Sequence, residues 1–188
     1  MSEYAVLIPY VKIEDSISLL LEVRSEKVRQ PGEICFPGGK VEPGENPAET
    51  AVRETCEELG VTVDDIKIIA NPELEVMADG RKVWSVRASL KLAEIDGLDH
   101  LKLSEDEVSE VFLLPVEWLQ ANQPEHYDLS ITSDEELPPK LRGYLAHYGQ
   151  YRKRGETDYW EYDGHGIWGL TARMIRRLIS VESDPSRP

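Results

Sequence analysis

Residues 37–60 constrain the fold of this 188-residue chain more than any other segment. Pro37-Gly38-Gly39 and Glu42-Pro43-Gly44-Glu45 combine proline, which lacks a donor, with glycine, which tolerates unusual φ, so regular pairing should stop and a loop begin. A helix should follow that loop. Asn46 is a capping residue, Pro47 suits the first helical position, Glu49 stands three residues after the cap as in a capping box, and Gly60 is the matching stop. On a helix over 47–59, Ala48, Ala51, Val52, Thr55, Cys56 and Leu59 share one broad face. Glu54, Glu57 and Glu58 fall within about a 100° arc on the other side.

That acidic arc is a poor local choice for stability. Two carboxylates about 6 Å apart repel by roughly 0.7 kcal/mol in water and about 3 kcal/mol at an effective dielectric of 20. Glu57 and Glu58 also stand in the last turn, where the helix dipole disfavours each anion by about 0.3–1 kcal/mol more. Taken alone, the pattern fits a solvated face of an acidic protein. If it is functional, the missing compensation is a divalent cation. Magnesium is the natural one, because it takes oxygen ligands, keeps several waters and joins a few carboxylates to substrate phosphates.

The rest of the chain reads as β-rich before and after this helix. Runs 4–11 and 16–23 predict two strands, 33–36 a short third, and 61–69, 74–77, 83–92 and 108–114 further ones, the last followed by a turn around Trp118. Residues 122–166 are polar, with Pro138-Pro139, many tyrosines and the basic cluster Arg152-Lys153-Arg154. From Thr171, Met174, Ile175, Leu178 and Ile179 at helical spacing predict a C-terminal helix on the sheet. The expected class is α+β or α/β, a mixed central sheet flanked by helices. One domain over 1–182, a variable, insertion-like stretch at 122–166 and a tail at 183–188 are the expected divisions.

Composition excludes several functions. The formal charge of -15 repels polyphosphate backbones and anionic lipid, so neither nucleic acid nor a membrane is an expected partner. An anionic ligand must then meet local basic groups or bridging cations. No apolar run reaches the roughly 18 residues of a span, and the first residues lack a signal peptide's basic start. Cys35 and Cys56, the two cysteines, have no metal spacing and fit a reducing compartment, so a cytoplasmic location is expected. The four histidines show no metal spacing either.

Gly39, Glu45 six residues later, and Arg53-Glu54-Thr55-Cys56-Glu57-Glu58-Leu59-Gly60-Val61 reproduce the spacing Gly, five residues, Glu, seven residues, Arg-Glu-aliphatic-x-Glu-Glu-x-Gly-aliphatic. This resembles the signature of the Nudix hydrolases; the one departure is Thr55, β-branched and on the core side, where an aliphatic residue is usual. The resemblance implies an α/β/α sandwich and hydrolysis of nucleoside diphosphates linked to another group, with magnesium or manganese. It implies Glu54, Glu57 and Glu58 as metal ligands, joined by the backbone carbonyl of Gly39 or Gly38. Arg53 would hold carboxylates, reaching Glu57 or Glu45. The base would be Glu54 or Glu57, or an acid outside the motif such as Glu107 or Glu110.

Upstream, Leu20-Leu21-Glu22-Val23-Arg24-Ser25, then Arg29, Gly32 and Phe36-Pro37-Gly38-Gly39, resemble the second motif of the coenzyme A diphosphatase branch. Glu22 replaces a threonine there, and two residues, not three, separate Arg29 from Gly32. Residues 107–115 and 167–172 also resemble that branch. The resemblance implies coenzyme A or an acyl-CoA as substrate, giving 3',5'-ADP and 4'-phosphopantetheine or its acyl form. Arg24 and Arg29 would meet phosphates, given the guanidinium's fit to them. ADP-ribose or a nucleotide sugar is the alternative substrate, a non-catalytic nucleotide-sensing module the alternative of another class, and a homodimer is left open.

Overall fold

In β1 (Glu3–Ile13) and β2 (Ser16–Arg24) both faces are apolar, which marks strands covered on two sides. Ala5 and Leu7 of β1 pack on one side with Ala51, while Ile8, Leu19 and Leu21 pack on the other with Met174, Ile175 and Leu178. The sheet is therefore the middle layer, as a period of two requires. A computed structural model describes residues 2–70, 73–76, 82–90, 98–148 and 155–182. The expected strand ends at Met77 and at 91–92, the cluster Arg152-Lys153-Arg154 and the tail 183–188 lie outside the described residues.

After β1 and β2 come β3 (Ile34–Cys35), β4 (Gly38–Lys40), α1 (Pro47–Leu59), a single 3-10 turn at Val63–Asp65, β5 (Ile66–Ile68), β6 (Glu73–Val76) and β7 (Lys82–Leu90). The chain continues through β8 (Val108–Pro115), α2 (Val116–Ala121), β9 (Glu125–Asp128), α3 (Pro139–Ala146), β10 (Glu156–Tyr162), β11 (His165–Trp168) and α4 (Gly169–Glu182). β1 runs parallel to β7 and antiparallel to β2 and β4, so the sheet is mixed, with order β3-β2-β1-β7-β5 and β8 on β2. A second, antiparallel sheet has the order β11-β10-β9.

Three expectations change. Pro37-Gly38-Gly39 does not end pairing, because Gly38 and Gly39 pair with Val6 and Ala5 of β1. Only glycine fits there: a Cβ on Gly38, at φ 149°, would overlap the Ala5 carbonyl and the Val6 backbone. The strand read over 61–69 shrinks to β5, because Thr62 and Asp65 close a capped turn in which the Thr62 backbone N–H donates to Asp65 at 2.8 Å. The turn at Trp118 is the six-residue helix α2, and the segment after it holds the second sheet and α3, with a core of Leu129, Leu137, Leu141, Leu145 and Tyr159.

Candidate active site

α1 spans Pro47–Leu59 as its end signals require. The Asn46 side chain accepts from the backbone N–H groups of Ala48 and Glu49, and Glu49 accepts from Asn46 N–H at 3.0 Å. Gly60 closes the helix at φ 68°, in the left-handed region. The helix's last carbonyls are then satisfied by the 98–107 loop, where Lys102 N–H donates to Leu59 O and Ser104 N–H to Glu58 O. That docking carries Glu107 to the same end of α1, where its carbonyl accepts from Ser25 N–H at 2.9 Å. Thr55 is fully buried, and its hydroxyl donates to the Ala51 carbonyl at 2.7 Å, so the departure from an aliphatic residue is absorbed within the helix.

Arg53 organises the exposed end of the site. Its guanidinium donates to Glu45 through Nε (2.7 Å) and Nη2 (3.2 Å), to Glu54 at 2.8 Å and to Glu57 at 3.2 Å. Glu45 also accepts from the Thr50 hydroxyl at 2.9 Å, and these bonds, Arg53's first, hold its pKa down at about 2. One cation thus fixes three carboxylates and orients Glu54, whose own pKa is raised by burial in spite of Arg53.

Glu58 turns the other way. It is 7% exposed and accepts the Gly38 backbone N–H at 2.7 Å. Burial drives its pKa up to about 8; the Gly38 bond opposes this, and the charges of Glu54 and Glu107 add to it. At Gly39 a Cβ would overlap the Glu54 carboxylate, so any larger residue there would displace that side chain. The two glycines therefore let β4 lie against both carboxylates.

A cleft of about 370 Å³ lies in front of this arrangement, lined by Glu54, Glu58, Glu107, Gly38 and Gly39 and also by Arg24, Arg29 and Lys40. Seven of the residues singled out from sequence meet here: Arg24, Arg29, Gly38, Gly39, Glu54, Glu58 and Glu107. Four do not line it. Glu45 and Arg53 support it from beside Glu54, Glu57 lies on the exposed side of α1 paired to Arg53, and Glu110 faces His165 at 3.4 Å.

Sequence reasoning left out Lys40, Glu33 and any role for Glu22. Glu22 is 1% exposed, with Oε1 lacking a hydrogen-bond partner; burial foremost, then the charge of Glu58, raises its pKa well above the ordinary value. The one signal available was its departure from threonine in the upstream motif. Lys40 gives no signal beyond following the glycine pair.

The donor set here is all oxygen, which suits a hard divalent cation and not zinc or copper. Among the described residues no three His, Cys, Asp or Glu side chains already close around one point. An open set of this kind suits magnesium or manganese, which keep waters and take further oxygens from phosphate.

A capped glutamate helix lying on a mixed sheet, with a glycine strand against its acids, is the build of a hydrolase acting on pyrophosphate bonds. The chain belongs to the Nudix family: the NUDIX domain model matches residues 2–132. Nudix hydrolases generally use divalent metal ions. The chain is similar to Nudix hydrolase 3 of Caenorhabditis elegans, at 36% identity over 96% of this chain and 73% of that protein. It is 29% identical to the peroxisomal coenzyme A diphosphatase NUDT7 of Mus musculus, over 98% of this chain and 73% of that one. Among solved structures, a C. elegans Ap4A hydrolase binary complex matches at a TM-score of 0.50 and 28% identity, covering 61% of this chain and 80% of that one. No helix among the described residues is long and apolar enough to cross a membrane.

Proposed function

We propose that this protein hydrolyses the diphosphate bond of coenzyme A or an acyl-CoA, with Mg2+ or Mn2+, to 3',5'-ADP and 4'-phosphopantetheine or its acyl derivative. The observation that supports this reading best is a cleft lined both by acids, Glu54, Glu58 and Glu107, and by cations, Arg24, Arg29 and Lys40. Coenzyme A offers groups for both, a diphosphate to be cut at a cation held by the acids and a separate 3'-phosphate that an arginine can take as a fork.

In this reading Glu54 and Glu58, which line the cleft, Glu57, once it releases its pair with Arg53, and a backbone carbonyl of Gly39 or Gly38 would hold the cation. When bound it neutralises charge on the diphosphate and acidifies a coordinated water. The chain's own residues do the rest. Arg53 and Glu45 keep Glu54 in one orientation, so that its carboxylate enters the reaction already placed. Gly38 N–H holds Glu58 against β4. The proton of the attacking water goes to Glu54 or Glu107, the base candidates that line the cleft, whereas Glu57 and Glu110 lie off it. Arg24, whose charge acts on Glu58, and Arg29 meet phosphates of the substrate. Residues 1–182 act as one domain in this account, in a cytoplasmic setting.

The test is a panel of coenzyme A, dephospho-CoA, an acyl-CoA and ADP-ribose with Mg2+, compared by kcat/KM. A coenzyme A or acyl-CoA value above that of ADP-ribose is expected. A much higher value for ADP-ribose would reject the substrate assignment and leave the hydrolase chemistry in place. A nucleotide-sensing module without turnover would cleave none of them, an outcome the intact Glu54, Glu57 and Glu58 set argues against.

A further inference from the structure

The rim of the cleft that carries Arg29 and Gln30 is the turn between β2 and β3, and its backbone is unusual. Gln30 has φ 62° and Gly32 φ 71°. The left-handed region suits glycine, but a residue with a long unbranched side chain seldom adopts it, because Cβ crowds the following carbonyl. Three bonds shape the turn from within: Gly32 N–H donates to Arg24 O at 2.9 Å, Arg24 N–H to Glu33 O at 3.0 Å, and the Arg24 side chain, through Nε, to Arg29 O at 2.9 Å. Those bonds do not fix the Gln30 side chain or the Glu33 carboxylate.

Tyr148 does. Its hydroxyl accepts a hydrogen bond from Gln30 Nε2 and donates to the Glu33 carboxylate, 2.9 and 3.1 Å from its two oxygens. A single hydroxyl therefore ties both sides of the turn. The tyrosine is itself braced. Its ring meets Trp168 edge-on at 5.6 Å, Tyr144 stacks on the same indole at 6.2 Å, and α3 is anchored below by buried Leu141 and Leu145. Tyr148, α3 and β11 all lie beyond residue 132, where the family match ends, so the brace is supplied from outside the matched region.

We propose that Tyr148 is a positioning residue that sets substrate affinity: it pins the Gln30–Glu33 turn and so places Arg29 at the mouth of the cleft. The segment after the Nudix match then acts in recognition, by gripping the rim. The part of this inference that concerns coenzyme A rests on the function proposed above; the pinning of the turn does not.

Tyr148→Phe keeps the ring against Trp168 and removes only the hydroxyl. Two readouts decide the inference. In the first, amide hydrogen exchange over residues 25–33 of the metal-free protein should quicken about fivefold, the equivalent of one net hydrogen bond, while α1 exchanges as before. In the second, KM for coenzyme A should rise by a similar factor with kcat nearly unchanged, because the hydroxyl touches the rim and not the reacting acids. Gln30→Ala, which removes one of the hydroxyl's two partners and leaves Glu33, should shift both readouts in the same direction by a smaller factor and serves if the tyrosine variant folds poorly. Unaltered exchange over 25–33 in both variants overturns the pinning. Quickened exchange with KM unchanged, or with kcat lowered in place of a raised KM, overturns the recognition role. If the wild-type protein does not cleave coenzyme A, the substrate reading fails by itself, the recognition role for that substrate falls with it, and the exchange measurement still decides the pinning.

Discussion

Replacing Glu58 with glutamine isolates the electrostatic cost of the site in the absence of metal. Glutamine keeps an oxygen for the Gly38 N–H, which Glu58 accepts at 2.7 Å, and removes the ionisable group. The native carboxyl has its pKa lifted from 4.5 to about 8, by burial first and by Glu54 and Glu107 besides. The native state therefore holds this proton across a window in which the unfolded chain has lost it. The stability it contributes is complete below about 4.5 and is lost as the pH rises through about 8. Integrating between pH 5 and pH 8 gives a loss of roughly 3–4 kcal/mol from this one group, at about 1.4 kcal/mol per pKa unit. Glu22 and Glu33 titrate in the same direction, Glu33 at about 7, so the difference between variant and wild type is read; it carries Glu58 together with the relief of Glu22, whose pKa the Glu58 charge helps to raise. Urea unfolding in excess chelator at the two pH values measures it. Near pH 5 the variant should match the wild type to within about 1 kcal/mol, and at pH 8 it should be more stable by roughly 3 kcal/mol. A variant destabilised at pH 8, or an equal difference at both values, would refute the placement of Glu58 as a buried, like-charged acid.

The adjacent glycines should separate stability from catalysis: Gly38→Ala forces a Cβ into β1 backbone and should cost a few kcal/mol of stability, read as urea midpoint, whereas Gly39→Ala displaces only the Glu54 carboxylate and should lower kcat with little change in midpoint. Comparable destabilisation by both would count against this division. Glu57→Gln should reduce kcat by orders of magnitude with an equal or higher melting temperature, since its i,i+4 pair with Arg53 is worth only about 0.3–0.5 kcal/mol and the helix dipole opposes the charge. Retained turnover would remove Glu57 from the metal set.

Legibility in the sequence followed local determination. α1 was readable to the residue, since its cap, first-turn proline and stop glycine act within the helix itself. Conflict with local rules was less decisive: acids against a helix dipole fit a solvated face as well as a site, and only the spacing from Gly39 to Val61 favoured the site. What stayed hidden depended on distant partners. Gly38 and Gly39 look like loop formers, and only β1 alongside makes them a strand. Residues 61–69 carry a strand's composition, yet Asp65 reaching back to Thr62 turns the chain first. Glu58 and Glu57 are neighbours with the same side chain, and what buries one and exposes the other is docking against Gly38. Tyr148 bonds to residues 115 and 118 positions away, a relation no periodicity can display.

The central claim is metal-dependent cleavage of a diphosphate in the cleft between Glu54, Glu58 and the arginines. Chromatographic separation of the products formed from coenzyme A, with Mg2+ and then with excess chelator, tests it most directly. The account predicts equal amounts of 3',5'-ADP and 4'-phosphopantetheine with the metal, nothing above background with chelator, and recovery when Mg2+ or Mn2+ is restored. Undiminished cleavage in excess chelator, or an intact diphosphate in every substrate offered with Mg2+, would contradict it.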